Sequence, residues 1–456
     1  MKISYTYILF SLFLAFLPGC ELIHDDLPET RTDGEPVYIR LQISTGGEMS
    51  ATRSNPTGGE DGDEPRQPGS DAENKINDVT LFLFDADVSI NDANAKTTPI
   101  DKVVFFNQLE EAGDDLPTIE KKYTSETKEV SGLSEKSYKV LAIANCDLSS
   151  KTFTTLEDVL DYAMTDVLWT GSGKATTSFV MSSEEEATIP NVLNSPDIQA
   201  STEQYPAEVD ITIERLAARV DYIAPGSNGT ENEYTTNRGD KAVIKGAALY
   251  NQVTNGMWMF KRVGDAPDAT TVKYLGDEEP VAGGIATNWV IDYSEDGKTY
   301  VESPSAYNNC FEVTVDNQIW HCIGYTGENV QPITDITDFD SKKVTGVVFQ
   351  VQYTPKGFTE GETFYEYQGS FYKATSELPE NYVEADLNTY ENGICYYTWW
   401  IKHSNDNANT YGIMEYATVR NNLYQLTVNS ISSLNDIQIV VAVKNWNRLE
   451  DDTINW

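Results

Sequence analysis

The sequence predicts an all-β protein made of two tandem β-sandwiches of the transthyretin-like kind. Aromatic residues supply 11% of the 456 residues, and aromatic and β-branched side chains favour pleated, half-buried surfaces. Short runs that alternate apolar and polar side chains recur along the chain, separated by turns rich in Gly, Asn and Asp. Only one segment has apolar residues at helical spacing, and a chain of this length exceeds one ordinary core.

The N-terminus has the features of a lipoprotein signal. Lys2 precedes an apolar run over residues 8–17, and a small residue, Gly19, stands directly before Cys20. This run is too short to span a membrane and is typical of a secretory signal over residues 1–19. We expect cleavage before Cys20 and lipidation (palmitate) of its thiol. The alternative is a plain signal peptide in which the cysteine has no role.

The first alternating segment is predicted to be a strand with one buried face, formed by Val37, Ile39, Leu41 and Ile43. The stretch from Thr45 to Asn74 that follows is rich in Gly, Pro, Ser, Asp and Glu. Such a composition does not bury enough apolar surface to fold, so a flexible loop open to proteases is expected. Its basic residues before Lys75 are Arg53 and Arg66.

The rest of the chain is predicted to be mainly strands. The following ranges carry strand patterns: 79–85, 138–145, 208–223, 242–250, 345–354, 394–402 and 422–431. Residues 155–165 have helical spacing. The predicted organisation is signal peptide 1–19, propeptide 20–53 with the first strand, loop 54–74, N-terminal sandwich 75–207 and C-terminal sandwich 208–456, which ends in a donor strand within 436–456.

The end of the chain repeats the alternation of the first strand. Its apolar positions are Ile437, Ile439, Val441 and Val443. If the first strand were cut free, the groove it leaves would accept a strand of the same pattern from a neighbouring molecule. Because donor and acceptor lie at different places, such contacts would build an open filament. The alternative is that both strands belong to one ordinary sandwich.

Charge and motifs argue against several other functions. The net charge of −40 excludes a basic surface for nucleic acid, and no catalytic motif, metal-ligand spacing or cofactor motif is found, so we expect no enzyme activity, no metal and no cofactor. Three further sets of residues are interpreted as follows. A turn with Asp85, Asp87, Asn91 and Asp92 is interpreted as solvated rather than as a calcium loop. The histidines, His24, His321 and His403, are interpreted as structural. The pairing of four cysteines, Cys146, Cys310, Cys322 and Cys395, stays open.

Several segments, in this order, resemble the Bacteroidales fimbrillins, the structural subunits of type V pili of the major and minor types. The matching segments are Cys20, the strand before residues 50–54, residues 74–79, 140–145, 214–220 and 419–424, and the valine-rich final strand with Trp446 and Trp456. Residues 396–403 are closer to the minor type. The resemblance covers nearly the whole chain.

The resemblance implies a mechanism. An arginine-specific protease would cut after Arg53, so that the mature chain begins at Ser54, with Arg66 as the second candidate. The first strand then leaves, and the final strand of a neighbouring subunit replaces it. The chain would be exported as a lipid-anchored outer-membrane precursor and become a stalk subunit of a cell-surface fimbrium that supports adhesion.

Its partners would be copies of itself, other fimbrial subunits, that protease and an unidentified surface receptor. Three alternatives remain: a fimbrial anchor or tip; a monomeric lipoprotein that binds glycan or protein through Trp258, Trp399 and Trp400; and an acidic surface hydrolase, for which no catalytic residues are found.

Overall fold

The computed structural model describes part of the chain. The described residues are 35–45, 70–88, 97–111, 121–160, 162, 164, 168–171, 178–183, 192–227, 229–260, 262–263, 289–290, 298–307, 311–315, 318–329, 337, 339, 343–403 and 416–445. The predicted lipidation site Cys20 and the predicted cleavage residues Arg53, Ser54 and Arg66 lie outside them, as do His24, Asn91, Asp92 and Cys310.

Strands dominate the described residues, which confirms the predicted all-β class. Those of the first half are β1 (Val37–Thr45), β2 (Val79–Asp85), β3 (Lys102–Phe106), β4 (Leu109–Glu111), β5 (Lys121–Ser125), β6 (Lys128–Val130), β7 (Tyr138–Ala144), β8 (Met181–Ser183), β9 (Val192–Leu193) and β10 (Ala207–Arg215). Two short helices accompany them, α1 (Leu156–Leu160) and α2 (Ser195–Gln199).

The second half continues the strand pattern. Its strands are β11 (Ala217–Ile223), β12 (Glu233–Thr235), β13 (Lys241–Tyr250), β14 (Gln252–Asn255), β15 (Arg262–Val263), β16 (Trp289–Val290), β17 (Thr299–Val301), β18 (Phe311–Val315), β19 (Gln318–Gly327), β20 (Gly346–Thr354), β21 (Phe364–Tyr367), β22 (Ser370–Tyr372), β23 (Asn388–Tyr390), β24 (Ile394–Trp400), β25 (Asn422–Ser433) and β26 (Asp436–Asn445). Short 3-10 turns lie at Thr375–Glu377, Glu384–Asp386 and Glu391–Gly393.

The first ten strands form one sheet in the order β3-β2-β7-β8-β10-β1-β5-β4, with β6 beside β1 and β9 beside β7. Apolar side chains from β1, β2, β7 and β10 belong to a single buried cluster. The sheet therefore builds most of this core, and β1 is one of its inner strands.

Strands β2 and β7 bury both of their faces. The opposite face of β2, with Phe82 and Phe84, packs on α1 and on Met257 and Phe260 from the second half. This explains why Val79–Asp85 is a continuous apolar run rather than an alternating one. The predicted helix is present as α1, whose Leu156, Val159 and Leu160 are buried.

The second half contains two main sheets that share a core. One has the order β18-β19-β11-β25-β26 and the other β12-β13-β20-β24. Side chains from β11, β25 and β26 form one cluster with those from β13, β20 and β24. A three-stranded sheet, β22-β21-β23, forms between β20 and β24 in the chain.

Two segments beside predicted boundaries differ locally from their sequence patterns. Residues 208–223, read from the sequence as one strand with the domain junction at 207/208, are two strands in two sheets. β10 pairs with β1, and β11 pairs with β19 and β25, so the change of sheet lies at Leu216. At the end of the predicted loop 54–74, Glu73 and Asn74 lie in a turn and are buried.

Phe82 tests the contact between β2 and the second half. Its ring lies 5.0 Å from that of Phe153 and 6.1 Å from that of Phe260. We expect Phe82→Ala to lower the free energy of unfolding by about 3–5 kcal/mol, because it leaves a cavity. Denaturant unfolding measures this, with Tyr205→Ala, at a residue that is 64% exposed, as the control. An equal, small effect of both changes would contradict the packing described.

Candidate functional site

The strand predicted to leave the fold, β1, has neighbours on both sides. It pairs in parallel with β10, from Ile39 with Ala207 to Thr45 with Ile213. On its other side it pairs antiparallel with β5 and then with β6. A strand held this way satisfies both rows of backbone groups, and its removal would leave two unpaired strand edges.

The apolar side chains of β1 fill the core of the first sheet. Val37, Ile39 and Leu41 are fully buried and Ile43 is 2% exposed, as the alternation predicts. They share the cluster with residues of the flanking strands, among them Tyr123, Val130, Val209, Ile211 and Ile213. Without β1, these residues would line an apolar groove.

Polar contacts of β1 lie mainly on its outer face. The Arg40 guanidinium forms an ion pair with the Glu208 carboxylate on β10, and Gln42 Nε2 donates to Glu208 Oε2 at 3.0 Å. Both Arg40 and Glu208 are more than a third exposed, so the pair contributes little to stability. Inside, the Leu41 amide donates to Ser125 Oγ at 2.9 Å. The strand is therefore held chiefly by apolar burial and backbone pairing.

The predicted donor strand, β26, occupies a different kind of position. It is an edge strand with β25 as its partner. Ile437, Ile439 and Val441 are 9%, 7% and 9% exposed and face the core of the second half, whereas Val440 is 50% exposed. Val443 pairs with Tyr424 through the backbone, and its side chain is outside the described residues.

The chain re-enters the described part of the fold at a buried ionic cluster. In the turn at residues 70–74, Glu73 is 1% exposed. Its carboxylate accepts hydrogen bonds from the Ser70 amide at 2.6 Å and the Tyr325 hydroxyl at 2.7 Å. It also pairs with Arg219 Nη1 at 3.2 Å. Arg219 in turn binds Asp221, with Nη2 2.6 Å from Oδ2.

Arg215 joins the same turn to both halves. Its Nε donates to the Glu73 carbonyl at 2.8 Å, and its Nη2 donates to the Asn74 side chain. Its Nη1 lies 3.3 Å from Asn421 Oδ1, beside β25. The Asn74 carbonyl accepts from the Tyr123 hydroxyl at 3.2 Å. The turn thus contacts β5 and β10 of the first sheet and β11 and β19 of the second.

The charges in this cluster stabilise one another. Burial alone would raise the pKa of Glu73, but the Arg219 charge, the Ser70 amide and the Tyr325 hydroxyl hold that pKa below its usual value. Burial lowers the pKa of Arg215 to about 10, against the opposing effect of Glu73. Burial raises the pKa of Tyr325, so its hydroxyl remains a donor. At neutral pH Glu73 is therefore an anion.

The remaining histidine and metal candidates have structural contacts. His321 Nε2 lies 2.6 Å from Glu231 Oε1, and His403 Nδ1 lies 2.9 Å from the Tyr424 hydroxyl. Asp85 pairs with Lys136 and accepts from the Asp87 amide. Among the residues described, no group of three His, Cys, Asp or Glu side chains is arranged to hold a metal ion.

The tryptophans considered as glycan or protein contacts lie at half-buried positions. Trp258 and Trp399 are only partly exposed, and Trp400 packs its ring 5.0 Å from Phe339 and 5.6 Å from Tyr250. All three are half-buried, and whether they contact a glycan or a protein stays a prediction. Tyr396, 53% exposed, is the accessible aromatic residue of β24.

The cysteines described are buried. Cys146, Cys322 and Cys395 lie in different parts of the fold, and burial raises the pKa of Cys395 to about 12.

The alternating patterns of the sequence predicted the strands β1 and β26, but the ionic cluster was not predicted. Arg215 and Arg219 lie in a strand-like stretch at positions that a buried face would occupy, and a buried arginine requires a carboxylate partner. These two arginines were the signal in the sequence that indicated a buried ionic cluster. The partner Glu73 is remote in sequence and sits in a segment whose composition predicts a loop.

Two protein-family models match parts of the chain. Residues 39–215 match the family model described as major fimbrial subunit protein (FimA). Residues 388–453 match that of the major fimbrial subunit protein type IV, fimbrillin, C-terminal. Together the two matches cover more than half of the chain. The chain belongs to the fimbrillin family. It is therefore a fimbrial subunit, whose place is the cell-surface fimbrium.

Several solved structures are similar to this fimbrillin. A putative cell adhesion protein from Parabacteroides distasonis is 14% identical, with a TM-score of 0.41 over 92% of this chain and 99% of that one. A fimbrilin from Porphyromonas gingivalis is 13% identical, with a TM-score of 0.36 over 90% and 99%. The tip fimbrial protein Mfa3 of that organism is 11% identical, with a TM-score of 0.38 over 90% and 100%.

A search of curated protein sequences gives no match. No helix among the described residues is long and apolar enough to span a bilayer.

Glu73 makes stability depend on pH. Because its pKa is lowered in the folded state, its contribution is present above its unfolded pKa and is lost as pH falls through the folded value. We expect Glu73→Gln to lower the free energy of unfolding by about 3–5 kcal/mol at pH 7. The difference from the wild type should close as the pH falls below about 4. Urea unfolding at several pH values measures this.

The control for that measurement is in the same turn. Asp71 has a side chain that is 93% exposed, so Asp71→Asn should change the free energy of unfolding by less than about 0.5 kcal/mol. A Glu73→Gln difference that stays constant from pH 7 to pH 3 would contradict the ionic contribution.

Substitutions on the inner and outer faces of β1 should lower the free energy of unfolding by different amounts. We expect Leu41→Ala to cost about 2–5 kcal/mol of unfolding free energy. Arg40→Ala should cost about 1 kcal/mol or less, because its ion pair is exposed. Chemical denaturation of the uncleaved chain compares them. Equal losses would show that the outer ion pair, rather than the core, holds the strand.

Proposed function

We propose that this fimbrial subunit is exported as a lipoprotein, lipidated at Cys20, and matured by an arginine-specific protease that cuts after Arg53 or Arg66. We further propose that it polymerises by exchange of β1 for the final strand of a neighbouring subunit, and that it acts as a stalk element rather than as an enzyme. The observation that carries the proposal is the position of β1, an inner strand followed directly by the predicted cleavable segment.

Cutting the chain after residue 45 would change how β1 is held. In the uncut chain β1 is tied covalently to the rest of the fold through residues 46–69. After a cut it would be held only by its two flanking strands and its four buried side chains. Burial of four aliphatic side chains is worth roughly 6–12 kcal/mol, so β1 would leave readily only if another strand replaces it.

The final strand is suited to that replacement. In its own subunit β26 pairs with β25, and its core-facing Ile437, Ile439 and Val441 are 7–9% exposed. In the place of β1 a strand gains two neighbours, and the side chains there are 0–2% exposed. Transfer would therefore add a second row of backbone hydrogen bonds and complete the burial. Transfer also has a cost, because the departing donor strand leaves β25 without its paired neighbour.

The geometry of donor and acceptor favours a filament. β1 belongs to the first sheet and β26 to an edge of the second half. A subunit that receives a strand in the first sheet still has its own final strand to give. Contacts of this head-to-tail kind do not close on themselves, and they generate open polymers. A stalk subunit needs both functions, whereas an anchor or a tip would need only one of them.

A peptide competition tests the exchange. We expect a peptide of residues 435–446 to bind chain that has been cut and stripped of β1, and to block its polymerisation. A matched peptide in which the residues at 437, 439, 441 and 443 are replaced by serine should not bind, because it cannot fill the groove. Fluorescence anisotropy and SDS-resistant ladders provide the readouts. Equal binding of both peptides would reject the groove as the acceptor.

Material sheared from cells tests maturation. We expect an N-terminus at Ser54 or Gln67, no lipid by intact mass, and loss of assembled material in the double variant Arg53→Ala/Arg66→Ala. A lipidated Cys20 on monomers of the wild type would contradict the stalk role. It would favour an anchor or a surface lipoprotein that binds its ligand as a monomer.

A further inference from the structure

The turn at residues 70–74 lies where the proposed removable part of the chain meets the retained fold. It follows the segment with the candidate cleavage residues Arg53 and Arg66, and it precedes β2. Directly after it stands Lys75, whose side chain is exposed. A basic, exposed residue in this position is a potential site for trypsin-like proteases.

The turn is held from several directions. The Glu73 carboxylate receives the Ser70 amide, the Tyr325 hydroxyl and the Arg219 guanidinium. Its main-chain carbonyl receives Arg215. The Asn74 amide donates to the Ser70 carbonyl at 3.1 Å, which closes the turn. Both Glu73 and Asn74 are at most 2% exposed.

Proteases need an extended stretch of several residues, which a chain fixed in this way supplies only after local opening. Opening here would move the Glu73 carboxylate away from its buried partners. It would also leave Arg219 and Arg215 without one of their acceptors. Removing one partner from a buried ion pair is strongly unfavourable. The cost of opening is therefore concentrated on one carboxylate.

We infer that the turn at residues 70–74, locked by Glu73, is a proteolytic stop that ends N-terminal trimming before Lys75 and keeps the mature end joined to both halves of the fold. Glu73 is a positioning residue, since it acts through the backbone that it fixes. The inference depends on the proposed maturation for its biological meaning. The protection of Lys75 is a property of the unassembled chain by itself.

Limited trypsin digestion of the purified, uncut protein tests this, with N-terminal sequencing of the products over time. We expect wild-type product to accumulate with Gln67 at its N-terminus, and the bond after Lys75 to be cut at least roughly tenfold more slowly than the bond after Arg66. In Glu73→Gln, cutting after Lys75 should rise at least roughly tenfold, giving a product that begins at Ile76. Asp71→Asn, in the same turn, should behave as the wild type.

Cleavage after Lys139, in the inner strand β7, separates local opening from general unfolding. It should rise to a similar extent in Glu73→Gln and in Phe82→Ala, which are expected to lose similar free energies of unfolding, whereas cutting after Lys75 should rise at least roughly tenfold only in Glu73→Gln. If Glu73→Gln does not fold, Tyr325→Phe removes one donor to the carboxylate and should raise cutting after Lys75 in the same direction.

Two results would overturn the inference: rapid cutting of the wild type after Lys75, or equal rates for folded Glu73→Gln and Asp71→Asn. Neither would affect strand exchange, which the peptide competition tests separately.

Discussion

The buried pairing of Glu73 with Arg219 and Arg215 is the constraint on which the arrangement of the two halves depends. Two guanidinium groups that are 1% exposed need carboxylate or carbonyl partners, because burying an unpaired charge is prohibitive. Those partners come from a turn before β2 and from Asp221 on β11. Since Arg215 ends β10 and Arg219 lies in β11, the cluster fixes the point where the chain passes from the first sheet to the second.

A second buried pair reinforces this region. Arg420, just before β25, places Nη2 2.8 Å from Glu328 Oε2 and donates to the carbonyls of Trp258 and Met259. Apolar contacts join the halves as well, because Cys322, Tyr325 and Leu423 belong to the cluster built mainly by the first sheet. The two halves are therefore joined by buried ionic and apolar contacts rather than by a linker alone.

The sequence allowed the strands to be predicted where local pattern decides the structure. Alternation located β1 and β26, and an uninterrupted apolar run located β2, because side-chain period and burial are local properties. It did not reveal the pairing of β1 with β10, the break at Leu216 or the burial of Glu73. Each of these depends on partners far away in the chain, and composition around Glu73 indicated a loop. Arg215 and Arg219 hinted at a buried charge but not at its acceptor.

The neighbours of β1 also set the order of events during synthesis. Its amide at Tyr38 bonds to Ser201, 163 residues later, and Arg40 to Glu208, 168 residues later. Contacts this distant form slowly, since a long loop must close before they contribute. The first strand of the chain can pair with β5 and β6 earlier, but its second edge is completed only when one of the last strands of its own sheet has been made. During that interval its open edge can pair with other chains, and the net charge of −40 makes such chains repel one another.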